Sequence, residues 1–550
     1  MSLRDAAIAA GRFGYGARPG ELAEIASDPR GWIKAQLTPE RAPPAVIAAL
    51  PPAEDDLWAF GRWLIETRRN AAKAAPDGRA PYGPAGPDRL DDATQAPGAR
   101  ARGASGAAPD GAMTAEGAGV EEAFVRSFRT RTSRAALARL EAAVASERPV
   151  YERLIHFWSN HFTVSAAKPA AVALPPSFEH DVVRPRAAGR FADMLLASSK
   201  HPGMLVYLDN WQSVGPNSPV GLAAARGPAP GPGPGPGPGP DGPARARRGT
   251  GLNENLAREI LELHTLGVDG GYRQSDVLAL AKIITGWTYD RSNVAAFMSG
   301  APGVRSGAQL FAFAARAHEP GAKTLLGRTY AEDGLAQGEA ALADLARHPA
   351  TARFLAAKLA RHYIGDDPPP AAVARIAQRF CDSDGDIAET MAALVDSPET
   401  WAGAFAKYKR PEEYAISVAR ALAANTPGLD RPGLGLPQPG LPQPGLLGRA
   451  GPQVLQSVSA MGQRIYRAPG PDGWADVEAA WLNADMIWKR IEFANGVARR
   501  AARADIDPRA IADATLGPLV STATREAIAR AESPAQGLTL LLASPEFQRR

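Results

Sequence analysis

Apolar residues recur at three- and four-residue spacing through most of this chain, and that period commits it to helices. The segments Thr132–Ser146, Val150–Val164, Ser177–Ser199, Glu254–Leu266, Gln274–Trp287, Ala331–Arg347, Ala350–Tyr363, Pro370–Phe380, Asp386–Ser397, Pro411–Ala424 and Trp474–Ala502 all carry it. End signals agree. Asp386 with Glu389 has the capping-box pattern, and Pro411 sits where a first-turn proline is tolerated. Alternation of the strand type is scarce; a short hairpin is expected around Gln309–Phe313 and Thr324–Thr329. The fold class is therefore mainly α: one large multi-helical domain.

Low-complexity inserts interrupt the pattern at about 71–119, 226–251 and 426–451. The first is rich in Ala, Gly, Pro, Asp and Arg; the second contains an alternating Gly-Pro tract from Pro230 to Pro240. The third repeats Leu-Pro-Gln-Pro-Gly at Leu436–Gly440 and Leu441–Gly445. Proline removes backbone donors and glycine raises the entropic cost of order, so these stretches read as disordered, solvated excursions from the helical domain.

Composition narrows the function classes. The chain has 62 basic and 58 acidic residues and a net charge of +4, too even a balance to imply nucleic acid or an anionic membrane as partner. The lone Cys381 excludes an internal disulfide. The start lacks a hydrophobic run long enough for a signal peptide, and no segment approaches the roughly 20 apolar residues of a membrane span. A soluble, cytoplasmic protein is the default expectation. Zinc-type Cys/His clusters, phosphate loops, dinucleotide fingerprints and serine nucleophile elbows are absent from the sequence.

The densest chemistry lies in Asn253–Gly267. At 100° per residue, Glu254, Asn255, Arg258, Glu259 and Glu262 share one arc of roughly 140°, with Leu252, Leu256, Ile260 and Leu263 beside it. His264 falls away from the carboxylates. Paired carboxylates facing a cleft are suited to holding a divalent metal or to acid–base work, and Glu259 with Glu262 has the spacing of helical di-metal ligands. The competing interpretation is a solvated face on which Arg258 supports the helix through Glu254 and Glu262.

His161 falls within the apolar arc of Leu154, Phe157, Trp158 and Phe162, opposite His156 and Asn160. A buried imidazole there needs a partner, and a carboxylate of Glu254–Glu262, a metal and a backbone carbonyl are the options. Asp209 and Asn210 follow an apolar run, where they either open onto the same cleft or end a helix. Asp382-Ser-Asp384-Gly-Asp386 lacks the glycine and glutamate of a calcium loop and reads as a turn plus N-cap. Trp474, Trp481 and Trp488 recur every seven residues, a core-packing pattern that, with Arg490, could also line a pocket.

Several motifs together resemble the domain-of-unknown-function 1800 family of bacterial proteins. They are Arg12–Gly16, Phe157-Trp-Ser-Asn-His-Phe162, Tyr207–Asn210, Asn253–Gly267, Gly270–Tyr272, Leu280–Trp287, His318–Gly327, His362-Tyr363 and the Met461–Trp474 segment. The resemblance implies a large helical protein with no established activity, often encoded near a sulfatase-like protein. In the family, His is frequent at the position of Ser159 and Phe at that of His264.

Two function classes follow. In one, the protein is an enzyme with a carboxylate/His cleft, possible catalytic groups Glu259, Glu262 and His161, possible metal ligands His161, Glu259, Glu262 and Asp209, and Asn160, Asn210, Glu254, Asn255 and Arg258 in support. In the other it is a helical scaffold or accessory protein, and the polar cluster is a structural salt-bridge network.

Overall fold

A computed structural model describes residues 2–57, 60–61, 115–226, 251–290, 310–423, 451–501 and 506–550. Helices dominate, as the apolar period dictates. The elements that build the site are α1 (Ala115–Ala145), α2 (Pro149–His161), α3 (Asn255–Glu259), α4 (Pro349–Tyr363), α5 (Pro411–Leu422) and α6 (Ala484–Ala501). The three low-complexity inserts lie outside the described residues except at their edges; the backbone of residues 115–119 is helical and opens α1.

Apolar side chains gather into two large clusters. One collects Leu154, Phe157 and Trp158 of α2, Leu256 and Ile260, and Leu355, Leu359 and Tyr363 of α4. The other joins Leu140 and Val144 of α1 to Tyr414 and Val418 of α5, Phe493 and Ala498 of α6, and Leu541 near the end of the chain. α2 is buried all round, including Glu152, Arg153 and His156, so its polar side faces protein and not solvent.

Four expectations change. The helix expected over Ser177–Ser199 breaks around Pro185 and Gly189, and a regular helix resumes at Phe191–Lys200. The single hairpin is replaced by two: Phe311–Phe313 pairs with Trp287–Tyr289, and Lys323–Leu325 with Arg328–Tyr330. The second closes through Leu326 (φ 50°) and Gly327 (φ 79°), the left-handed pair that a tight two-residue turn demands. Asp290 marks the end of the described residues before that first pairing resumes, and Gln309 lies outside them.

The heptad of tryptophans is not a helical stripe, because α6 begins only at Ala484. Trp474 and Trp481 pack against each other from a loop, 5.8 Å between centroids, whereas Trp488 is 61% exposed. Finally, α3 does not run straight to Leu266. Ile260–Thr265 forms a π-helical turn, sealed by Leu266 N–H donating to the Leu261 carbonyl at 2.9 Å.

Among the described residues no helix is long and apolar enough to cross a membrane. Asp386 Oδ1 accepts from Glu389 N–H at 2.9 Å, the cap its position suggests.

Candidate active site

The site begins at the C-terminal end of α2. The Asn160 amide donates from Nδ2 to the Trp474 carbonyl (2.9 Å) and accepts the Trp474 N–H on Oδ1 (2.7 Å). One side chain thus satisfies both main-chain groups of a residue far away in sequence and fixes the loop Pro471–Val477 over the helix end. Gly473 makes the approach possible. Its φ is +82°, and a Cβ there would come within 2.5 Å of the Asn160 carbonyl oxygen.

This loop closes a cavity of about 270 Å3 lined by Phe157, Asn160, His161, Lys358, His362 and Asp476, with Arg361, Arg410, Asp472 and Trp474 completing the wall. Lys358 and His362 lie one turn apart on α4 and reach the cavity together. His362 Nδ1 donates to Asp476 Oδ2 at 2.7 Å, which leaves Nε2 as a buried acceptor without a partner among the described residues. Burial pushes the His362 imidazole down to about 3 against the pull of Asp476, so it is neutral at pH 7. Burial also opposes ionisation of Asp476. The hydrogen bond from His362 and the charges of Lys407 and Arg410 outweigh it and hold the carboxyl well below its usual range.

Lys358 differs from the other cations nearby. Among the described residues its ammonium has neither a hydrogen bond nor an ion pair; it lies 5.4 Å from the centre of the Phe354 ring. Burial lowers it to about 8, although Asp476 and Asp472 pull the other way.

His161 is fully enclosed. Nε2 lies 3.1 Å from the His264 carbonyl oxygen, so the ring donates there and Nδ1 is left an acceptor with no partner among the described residues. Its partner is therefore a backbone carbonyl and not a carboxylate. The His264 ring lies 6.1 Å from that of His161, both imidazoles are pulled down by burial and by the charge of Lys358, and His264 falls to about 3.

The carboxylate half stands nearby without touching His161. Arg258 bridges Glu254 (3.2 Å) and Glu262 (3.3 Å), and Gln274 bonds Glu254 at 2.7 Å. These three are part-exposed, which is the helix-supporting arrangement, and Asn255 is exposed. Glu259 is set apart. Burial, then the charges of Glu262 and Asp472, raise it to about 7 against Arg258. Burial and the charges of Glu259 and Asp472 also raise the Tyr207 hydroxyl. Asp472 is thus felt both by Glu259 and by Lys358, and it links the carboxylate half to the cavity.

Asp209 and Asn210 take structural roles. Asp209 adopts φ 58° at the end of a helix and pairs with Lys168 at 2.7 Å, while buried Asn210 donates to the carbonyls of Ile284 and Trp287 at 3.2 and 3.1 Å. His161, Glu259, Glu262 and Asp209 do not converge; among the described residues no group of three His, Cys, Asp or Glu side chains is placed to hold a metal ion.

Behind the cavity lies an ionic cluster at the start of α5. Glu413 meets Arg153, Arg410 and Arg550, each at 3.1 Å. Glu412 meets Arg139 at 2.6 Å, and Arg139 also pairs with Glu179. All these side chains are buried. Arg410 lines the cavity, and Arg550 Nη1 donates to the His362 carbonyl at 2.7 Å, so the cluster sets the backbone that carries His362. Phe157, Asn160, His161, His362, Asp472 and Trp474 of the wall lie in the sequence motifs, whereas Lys358, Arg410 and Asp476 do not; the helical spacing of Lys358 from His362 is the signal that could have found it.

The comparisons decide the family. The description "Protein of unknown function (DUF1800)" matches residues 8–549. The chain belongs to the DUF1800 family. No curated protein and no solved structure matches it. The DUF1800 match covers both halves of the site, the loop that joins them and the ionic cluster behind except for Arg550.

Proposed function

We propose that this DUF1800 protein is an enzyme whose cleft carries out acid–base chemistry on a small polar substrate, with Lys358 as base or nucleophile. The observation that carries it is an ammonium unpaired among the described residues, lowered to about 8, in a cavity that also presents the His362–Asp476 pair. A structural lysine would be expected to sit in an ion pair; a working one has its charge destabilised so that the free amine is accessible near neutral pH. Glu259, raised to about 7, is the natural proton donor of the pair, since Asp472 couples it to the cavity. His161 Nδ1 and His362 Nε2 are neutral acceptors that would orient hydroxyl or amine groups of the substrate. The cluster around Glu413 keeps Arg410 and the His362 backbone in register. A divalent metal is not required by this reading.

Amine labelling over a pH series, read by peptide mass spectrometry, tests it. Lys358 should label with a midpoint near 8, below that of the surface lysines. Small polar metabolites that raise the melting temperature of the wild type should lose that effect in Lys358→Met. A surface-like midpoint, together with equal ligand stabilisation of the variant, would sink the proposal.

The scaffold reading draws on one observation, the buried cluster around Glu413, which fixes helix packing whatever the cleft does. Its partner would be the sulfatase-like protein that the family resemblance implies, and co-purification of that partner unchanged by Lys358→Met would favour it.

A further inference from the structure

A second cavity, about 390 Å3, lies between α1 and the turn Arg464–Arg467. Arg129, Arg464 and Arg467 all line it, and among the described residues no carboxylate does. Among the described residues none of these guanidinium groups has a hydrogen bond or an ion pair. Elsewhere, buried arginines meet carboxylates at Glu413, Glu152 and Glu21. Three cations without a counter-charge among the described residues repel each other; burial and the charges of Arg129 and Arg464 push the Arg467 guanidinium down.

The turn that carries two of these arginines is held in place from several sides. Tyr466 adopts φ +61°, which a non-glycine residue keeps only where its surroundings enforce it. Its carbonyl accepts from Ala166 N–H at 2.7 Å, and its hydroxyl donates to Glu179 Oε1 at 3.0 Å. Ser165 Oγ donates to the Ala468 carbonyl at 2.7 Å, and Arg467 N–H closes the turn on the Arg464 carbonyl at 2.9 Å. Arg129 comes from α1 on the opposite wall. The hydroxyls of Ser133 and Ser459 also line the cavity and have no partner among the described residues, while Val172, Leu455 and Ile465 give it an apolar side.

We propose that this cavity binds a small ligand bearing an anionic tetrahedral group, a phosphate or sulfate ester, held by Arg129, Arg464 and Arg467. Guanidinium forks match such oxygens, and several donors from two walls suit a tetrahedral group better than a flat carboxylate. The apolar side receives the organic part of the ester. A nucleic acid backbone would need a basic stripe along the surface, and the near-even charge balance of +4 does not supply one.

Titration calorimetry on the full chain at fixed ionic strength tests this, using inorganic phosphate, inorganic sulfate, phenyl phosphate and phenyl sulfate. The phenyl esters should bind saturably and more tightly than the inorganic ions, and the stronger of the two identifies the ester class. Arg464→Gln with Arg467→Gln should weaken binding by about tenfold per arginine, whereas Lys358→Met should leave it unchanged. Should the double variant fail to fold, Arg129→Gln decides by the same criterion. Absence of saturable binding to the wild type, or unchanged affinity in a folded arginine variant, overturns the proposal.

Discussion

His161 donates from Nε2 to the main-chain carbonyl of His264, 3.1 Å away, while the two rings lie 6.1 Å apart. The bond depends on the backbone of one residue and the side chain of the other. His161→Phe should therefore leave a buried carbonyl unpaired and cost about 1–3 kcal/mol. His264→Phe keeps the carbonyl and replaces an imidazole that is neutral and, among the described residues, unpartnered at Nδ1. It should cost less than His161→Phe. Urea unfolding of both variants checks the order, and equal losses would refute this account of the bond.

Asn160 and Gly473 together fix the loop over the cavity. Asn160→Ala removes both bonds to Trp474 and should cost about 1–3 kcal/mol. Gly473→Ala should have a similar local effect for another reason, since its Cβ would collide with the Asn160 carbonyl at a backbone angle unfavourable to alanine. In both variants the Trp474 amide should exchange with deuterium much faster while amides in the middle of α2 stay protected. Unchanged exchange at Trp474 would show that the loop is held by something else.

Glu413 is surrounded by Arg153, Arg410 and Arg550 in a buried setting, where burial opposes ionisation and the arginine charges more than reverse it. Glu413→Gln would strand three guanidinium groups with no full counter-charge. A loss of about 3–5 kcal/mol is expected, the range for breaking one side of a buried ion pair. Surface pairs give the contrast: Glu526→Gln, whose carboxylate pairs with exposed Arg530, should change stability by less than about 1 kcal/mol. Denaturant unfolding of the two variants side by side measures the difference.

The period of apolar residues was enough to read the helical class, the ladder Glu254–Arg258–Glu262 and the burial of His161, because all three depend on local spacing. What escaped depends on changes of spacing or on distance along the chain. The π-helical turn at Ile260–Thr265 alters the angular step on which the placement of His264 relied. The tryptophan repeat looked helical only because seven-residue spacing was counted across a loop that ends at Ala484. The run Lys407–Glu413 has the charge density of a solvated segment, yet its lysines, arginine and glutamates are buried, since the partners of the glutamates come from α1, α2 and residue 550, and those of the lysines are Asp366, Asp476 and the Phe547 carbonyl. Asn160 finds Trp474 across 314 positions, a separation on which local pattern is silent. Lys358 and His362 were the readable omission: four residues apart on one helix, they share a face.

Glu259 gives the sign of a pH effect. Its folded value of about 7 lies above the ordinary 4.5, chiefly through burial, so the folded state prefers the protonated carboxyl. Below about 4.5 both states hold the proton and the residue makes no difference to stability. Between 4.5 and about 7 the unfolded chain releases it first, so stability falls as pH rises, and above about 7 the full penalty is present. Glu259→Gln removes this dependence. The variant should match the wild type at pH 4.5 and melt at a higher temperature at pH 8, with the gap opening between those values. Differential scanning calorimetry across that range measures it. A gap that opened on acidification instead would mean that Glu259 is ionised and favourably paired in the fold, and the acid role proposed for it would fall.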